Sequence, residues 1–425
     1  MKKTFLLSCL MLAAMPVMAA YTGRVYVDKN KNGVFDPGEK TWAGIKVSDG
    51  LNVVETAADG SFTLPGHERE RFIFITTPSG YKTFNRHYHK IEEKQSGYDF
   101  GLMPYSGRIR KDGSHKYIHI ADTEIFNTEN HEDWVNNVRD YARNEQAAFI
   151  IHTGDICYEK GLKAHIKLMN TENMDCPVFY CIGNHDLVKG KYGEELFESI
   201  YGPVYYSFDA GNVHYIVTPM PGGDHAPGYT ADDVCRWLKN DLAHIRPGTP
   251  VVVFNHDLLT YEDAFIFKSK NAGSINLNEH NLKAWVYGHW HINYMKKQGD
   301  VYSVCTSSLD KGGIDHSTTA FRVMHVDSKG DFTSELRYTY LDKNICIASP
   351  AGVMASGVLP VAVNVYSSVS PVREVLYTCL ADGKPVLKNK RLLQSTDWSW
   401  NGELPLSHKY VGKELTLRVT CLLYT

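Results

Sequence analysis

With 425 residues, 43% of them hydrophobic and 22% charged, the chain has globular composition and enough length for two or three separate cores. A formal charge of −3 and an isoelectric point near 6.7 argue against bulk nucleic acid or an anionic membrane surface as a partner held by charge. Any preference for phosphate must be local.

Residues 1–20 read as a signal peptide. Lys2 and Lys3 precede an apolar run from Phe5 to Val17, and Ala19 and Ala20 are small residues suited to cleavage. The run falls several residues short of the roughly 20 that span a bilayer. Export to the periplasm or the cell exterior is therefore expected, with no transmembrane span. Beyond this segment lie eight cysteines, too widely spread to form a recognisable disulfide or zinc framework.

Residues 21–105 carry short alternating runs such as Gly23-Arg24-Val25-Tyr26-Val27 and Phe72-Ile73-Phe74-Ile75, broken by turn pairs such as Asp59-Gly60. That pattern predicts a small antiparallel β-sandwich. Near its start, Asp28, Asn30, Asn32, Asp36 and Glu39 occupy positions 1, 3, 5, 9 and 12 of a loop with Gly33 at position 6. This is the spacing of an EF-hand calcium loop. Strand-like sequence flanks it where helices belong, and the segment resembles calcium loops of bacterial surface β-sandwich modules. A structural calcium ion and a metal-free turn rich in Asn, Asp and Gly both fit.

Residues 106–345 alternate apolar strand candidates with helical stretches over 133–144, 193–200 and 231–244, which predicts an α/β domain. Residues 346–425 return to strand alternation, as in Val361-Ala362-Val363-Asn364-Val365-Tyr366, and predict a second all-β sandwich.

Five strand candidates of the middle region end in residues that bind metals. Tyr117-Ile118-His119-Ile120-Ala121 leads to Asp122-Thr123-Glu124, and 148–151 leads to Gly154-Asp155. The run 178–182 enters Gly183-Asn184-His185-Asp186, 251–254 precedes Asn255-His256-Asp257, and 284–287 precedes Gly288-His289-Trp290-His291. Ligands gather at the carboxyl ends of strands in open α/β sheets, so five such ends predict one crevice. Two divalent cations roughly 3.5 to 4 Å apart can clamp the attacking and leaving oxygens of an in-line displacement. A carboxylate can serve both, whereas an imidazole or amide oxygen serves one.

In this order and spacing the motifs resemble those of the calcineurin-like metallophosphoesterases. The resemblance implies a four-layer αββα central domain, two divalent metal ions (Mn, Fe, Zn or Mg) and hydrolysis of a phosphodiester or phosphomonoester by a metal-activated hydroxide. It also implies that Asp155 is shared between the ions, with Asp122 and His291 at the first and Asn184, His256 and His289 at the second. His185 would protonate the leaving oxygen or stabilise charge, and Asp186 would orient His185.

Glu124 stands where the family usually has histidine or glutamine. If it ligates, the formal charge of the centre falls from about +1 to about 0 by counting ligands. The harder oxygen ligand would favour manganese or magnesium at the first site, and the weaker electrostatic pull would favour monoanionic diesters over dianionic monoesters. Tyr158 and Trp290 are candidate substrate contacts, with Asp257 and His225 as further lining. His119 and His152 lie within strands and read as packed side chains.

The partner expected is a small phosphorylated substrate, with envelope or surface contact through the flanking domains. Two other functions fit the sequence: a phosphoanhydride hydrolase acting on nucleotides or nucleotide sugars, and a non-catalytic cell-surface binding protein.

Overall fold

The computed structural model describes residues 20–424 apart from 96, 341–342, 353–356, 368–369 and 397. The segment expected to be a signal peptide, save Ala20, lies outside the described residues. Among the described residues no helix is long and apolar enough to cross a membrane.

The first unit is a pair of four-stranded sheets. One orders Ser61–Leu64, Tyr21–Val27, Phe100–Pro104 and Tyr81–Thr83, and the other Val53–Glu55, Lys46–Ser48, Phe72–Ile75 and Tyr88–Lys90. Alternation sets the faces: Phe62 and Leu64 are buried while Thr63 between them is exposed. One cluster, including Val25, Leu64 and Leu102 from the first sheet and Val47, Ile73 and Ile75 from the second, fills the space between them.

The middle unit holds two larger sheets. The five-stranded one orders Val178–Tyr180, Phe149–His152, His115–Ile120, Ala320–Val326 and Phe332–Tyr338; its first three strands are parallel. The six-stranded one orders Tyr206–Ala210, Val213–Val217, Val251–Phe254, Leu282–Tyr287, Val301–Cys305 and Tyr294–Gln298, with four parallel strands between antiparallel edges. Central strands such as Val251–Phe254 are buried at every position, as a sheet covered on both faces requires.

Aromatic rings from both sheets form the inner layer. Phe179 stacks on Phe208 with centroids 3.8 Å apart, and Tyr117 lies on Phe149 at 4.7 Å. Each ring buries on the order of 150–250 Å². On one outer face the helix Glu132–Asn144 buries Trp134, Val135, Val138 and Ala142 in a core shared with Ile118, Ile150 and Phe321. On the other, Ala231–Ala243 contributes Trp237, Leu238 and Leu242 to the core of the six-stranded sheet. The layers thus run helix, sheet, sheet, helix.

The last unit also pairs two sheets. Lys343–Ser349, Gly357–Ser367, Ser399–Leu406 and Leu393–Gln394 form one, and Lys384–Arg391, Val372–Ala381 and Leu415–Leu423 the other. Lys343 pairs with Ser367, so this unit begins three residues before the boundary expected at 346. Polar Lys343 and Asn344 hide that strand start in the sequence.

The flanking units are fastened to the middle one. Arg71 reaches Glu194 and Glu198 at 2.7 and 2.8 Å, and Phe74 packs 6.3 Å from Trp237. At the other end the Trp398 indole donates to the carbonyl of Asn293.

Candidate metal centre

The strands His115–Ile120, Phe149–His152, Val178–Tyr180, Val251–Phe254 and Leu282–Tyr287 carry their ligand types on the loops that follow them, and these loops meet. Seven non-glycine residues here adopt left-handed backbone: Asp122, Glu124, Asp155, Cys157, Tyr158, His289 and His291. Such a conformation costs on the order of 1–2 kcal/mol per residue. Cross-loop hydrogen bonds hold it: Asp122 N donates to Gly154 O, Glu124 N to Asp155 O, and Gly288 N to His256 O. Only glycine fits at two close approaches. A methyl on Gly183 would lie 2.2 Å from Asp155 Oδ1, and one on Gly288 2.7 Å from Asp122 Oδ2.

Two donor groups result. His291 Nε2 is 3.4 Å from Asp122 Oδ1 and 3.6 Å from Glu124 Oε1. His256 Nε2 is 3.1 Å from both Asp155 Oδ2 and Asn184 Oδ1, and ligand atoms of Asp155, His256 and His289 lie within 4.8 Å of one another. Asp155 also clusters with Glu124 and Cys157, which puts it between the two groups. Two ligands each ~2.1 Å from one cation are separated by about 3 to 3.5 Å, so the spacing and the donor chemistry suit divalent ions. His256 Nδ1 donates to Thr153 O at 2.7 Å, leaving Nε2 to face Asp155 and Asn184.

Burial lowers the His256 pKa, but the Asp155 carboxylate outweighs it and lifts the imidazole to about 9. A cation held by this nitrogen would have to displace that proton. Burial raises Asp122. Asp155 is pushed up by burial yet ends below the usual carboxylate range because His256 faces it.

His185 stands at the edge of the centre, with its backbone N–H on Asp155 Oδ1 and Nδ1 2.9 Å from Asp224 Oδ2. Burial opposes its charged form, but the bond to Asp224 prevails and raises the pKa. The orienting carboxylate is therefore Asp224, not Asp186 as the sequence suggested. Asp186 is fully buried and accepts from Gly183 N and Cys157 N, both at 2.9 Å, so it ties the loops of Asp155 and Asn184 together.

Tyr158 lies 5.3 Å from the His185 ring and stacks on exposed Phe126, while Trp290 donates to Asp257 Oδ1 and stacks on exposed Tyr261. His225 is exposed on the loop beside Asp224. His119 and His152 are buried and bond Thr153 Oγ1 and Thr123 Oγ1, which fits their reading as packed side chains. Burial pushes the Cys157 thiol far up, and all eight described cysteines are free.

Asp224, Lys311, Phe126 and Tyr261 went unread in the sequence. Gly222-Gly223 was the one signal for Asp224: Gly223 packs so tightly that a methyl on it would sit 2.3 Å from Asn184 O.

The calcium-type loop lies in the first unit, remote in sequence from these ligands. Asp28 is buried and accepts from Asn32 N and Gly33 N, Asp36 accepts from the Asn30 and Asn32 amides, and Glu39 accepts from Lys29 N and Asp36 N. All five candidate side chains are thus engaged within one loop. Strand Tyr21–Val27 leads into it, and no helix flanks it.

Residues 115–293 match the family model for calcineurin-like phosphoesterase, and residues 29–105 match the one for the N terminal of calcineurin-like phosphoesterase. The chain belongs to the calcineurin-like phosphoesterase family. Solved structures similar to this calcineurin-like chain include a novel archaeal phosphodiesterase, at 13% identity over 52% of this chain and 99% of that one, TM-score 0.26. A predicted phosphoesterase from Streptococcus pneumoniae matches at 11% over 53% and 98%, TM-score 0.25. Vacuolar protein sorting 29 from Cryptosporidium parvum matches at 10% over 69% and 98%, TM-score 0.28. No curated protein matches the chain.

Proposed function

We propose that the protein is an exported phosphoesterase with a dinuclear metal centre, cleaving a phosphodiester or phosphomonoester, and that its flanking sheet pairs are β-sandwich modules. The observation that carries the reading is the meeting of two donor groups at Asp155 with the His185–Asp224 pair at their edge. Asp122, His291 and Asp155, with Glu124 beside them, would hold one cation, and Asn184, His256, His289 and Asp155 the other. Divalent ions bound there supply the Lewis acidity that activates the attacking oxygen and neutralises phosphoryl charge.

The chain's own groups do the rest. Asp224 takes His185 Nδ1, which leaves Nε2 to hand a proton to the departing oxygen. The bond to Asp224 favours the charged imidazole needed for that step. Asp186 keeps the loops of Asp155 and Asn184 in register, so both ligands arrive preorganised.

Purified protein loaded with Mn²⁺ is expected to turn over chromogenic diester and monoester substrates. No turnover of diester, monoester or pyrophosphate by metal-loaded protein sinks the reading and leaves the binding-protein alternative. His185→Ala should lower kcat by about a hundredfold, the usual scale for losing a general acid, with the larger loss on poorer leaving groups. Asp224→Asn should cost about tenfold with the same leaving-group trend. A loss independent of leaving group excludes proton donation by His185.

The loop from Asp28 to Glu39 we read as a structural calcium site. Calcium should raise the melting temperature of the wild type, and Asp28→Asn should abolish that rise without changing phosphoesterase turnover. A wild-type melt indifferent to millimolar calcium leaves the loop as a metal-free turn.

A further inference from the structure

Lys311 comes from the loop that joins Val301–Cys305 of the six-stranded sheet to Ala320–Val326 of the five-stranded one, 187 residues beyond Glu124, yet its Nζ lies 2.6 Å from Glu124 Oε2 and 3.0 Å from Glu124 O. The other Glu124 oxygen faces His291 Nε2 at 3.6 Å. Glu124 thus stands with one oxygen toward the candidate ligands and one on a lysine. The lysine side chain is 45% exposed and also rests 5.8 Å from the Phe126 ring.

Its loop is strapped on both sides. Ile314 N donates to His291 O, Asn293 N to Asp315 Oδ2, and Gly313 N to Ser317 O. From the C-terminal unit, the Asn364 amide donates to His316 O and the Trp398 indole to Asn293 O. Glycine is required at 313, where a methyl would sit 2.2 Å from Asp315 Oδ1. The loop that carries Lys311 is therefore held beside Glu124 by the fold.

We propose that Lys311 is a positioning residue for the metal centre: it holds Glu124 by one oxygen and returns the unit of positive charge that Glu124 removes. The inference rests on the dinuclear reading above. A ligand count that includes Glu124 alone makes the centre neutral; counting the pair restores its positive balance. The C-terminal unit then has a defined task, since it braces the loop that carries the lysine.

The two partners act on the cations with opposite sign. Lys311→Met frees Glu124 to turn inward uncompensated, which tightens Mn²⁺ binding and weakens the hold on anionic phosphate. Glu124→Gln leaves a bare lysine beside the cations and weakens Mn²⁺ binding. A unit charge several ångströms away in near-aqueous surroundings shifts the affinity by on the order of tenfold. The double variant should return to within about twofold of the wild type, and the effects should shrink in high salt.

The test is calorimetric titration of the metal-stripped full chain and its variants with Mn²⁺, with circular dichroism to confirm folding and KM for a chromogenic diester measured in parallel. Expected are a tighter Kd and higher KM for Lys311→Met, a weaker Kd for Glu124→Gln, and wild-type values for Lys311→Arg. Weaker or unchanged Mn²⁺ binding by folded Lys311→Met overturns the proposal, as does a double variant that is the sum of two losses. Should Lys311→Met not fold, Lys311→Gln is read by the same criteria. Wild-type protein that takes up no Mn²⁺ defeats the dinuclear reading itself, which separates the two failures.

Discussion

Asp155→Asn should reduce turnover about a thousandfold or more, equal to about 4 kcal/mol of barrier, while the fold survives. The substitution is isosteric, and the side chain is 2% exposed in a pocket where Gly183 passes too close for any Cβ. His185 N can still donate to the retained carbonyl oxygen of the new amide. What disappears is the one carboxylate common to both donor groups. His256 loses the charge that lifts its pKa to about 9, so burial pulls the imidazole back toward neutrality. Metal uptake is the decisive readout, because a ligand that binds only the folded state raises its stability by RT ln(1 + [L]/Kd). The wild-type melting temperature should climb with Mn²⁺ and that of Asp155→Asn should stay flat. Equal Mn²⁺-dependent stabilisation in both proteins removes Asp155 from the centre.

That residue was legible because it follows an apolar run at the end of a parallel strand, and the same holds for Asp122, Asn184, His256, His289 and His291. Strand ends of a parallel core are where local pattern and tertiary placement agree. Agreement failed where a contact joins distant loops. Asp224 follows His185 by 39 residues and Lys311 follows Glu124 by 187, and neither loop has a periodicity that announces its partner. Asp186 misled through adjacency. In the short 3₁₀ turn Asn184–Asp186 successive side chains point about a third of a turn apart, so Asp186 faces the loop interior while His185 faces the rim. The helix Tyr158–Leu168 was hidden by Gly161, a poor helix former kept because a methyl there would meet Ile125 O at 2.4 Å. In the outer units, alternation revealed the strands, but polar starts such as Lys343-Asn344 blurred their limits.

Arg71→Met should destabilise the protein by about 3 kcal/mol or more, the scale for removing one partner of a buried ion pair. Arg71 is the cation for two carboxylates, Glu194 with no exposure and Glu198 with 5%, and its guanidinium also lies 4.6 Å from the Tyr192 ring. Without it two buried carboxyl groups face each other with no cation in the joint between the first and middle units. For a middle unit of this size the loss corresponds to a melting temperature lower by roughly 5–10 °C. Activity should fall too, because Glu194 also accepts from Gly228 N, and Gly193 N donates to Ala226 O, on the loop that presents Asp224 to His185.

One guanidinium does not fully compensate two buried carboxylates. Burial raises Glu198 to about 7 despite Arg71. A folded pKa above the ordinary 4.5 means that the folded state holds this proton more tightly. The contribution of Glu198 to stability is therefore complete below about pH 4.5 and is lost as pH rises through about 7. Wild type should lose stability relative to Glu198→Gln across that window, and denaturant titrations at pH 5 and pH 7.5 measure it. Replacing Arg71, Glu194 and Glu198 together with apolar side chains should cost less than Arg71→Met alone, since no charge is then left buried. A triple variant as unstable as the single one would place the stabilisation in the stacking of the Arg71 guanidinium on Tyr192 and not in the ion pairs.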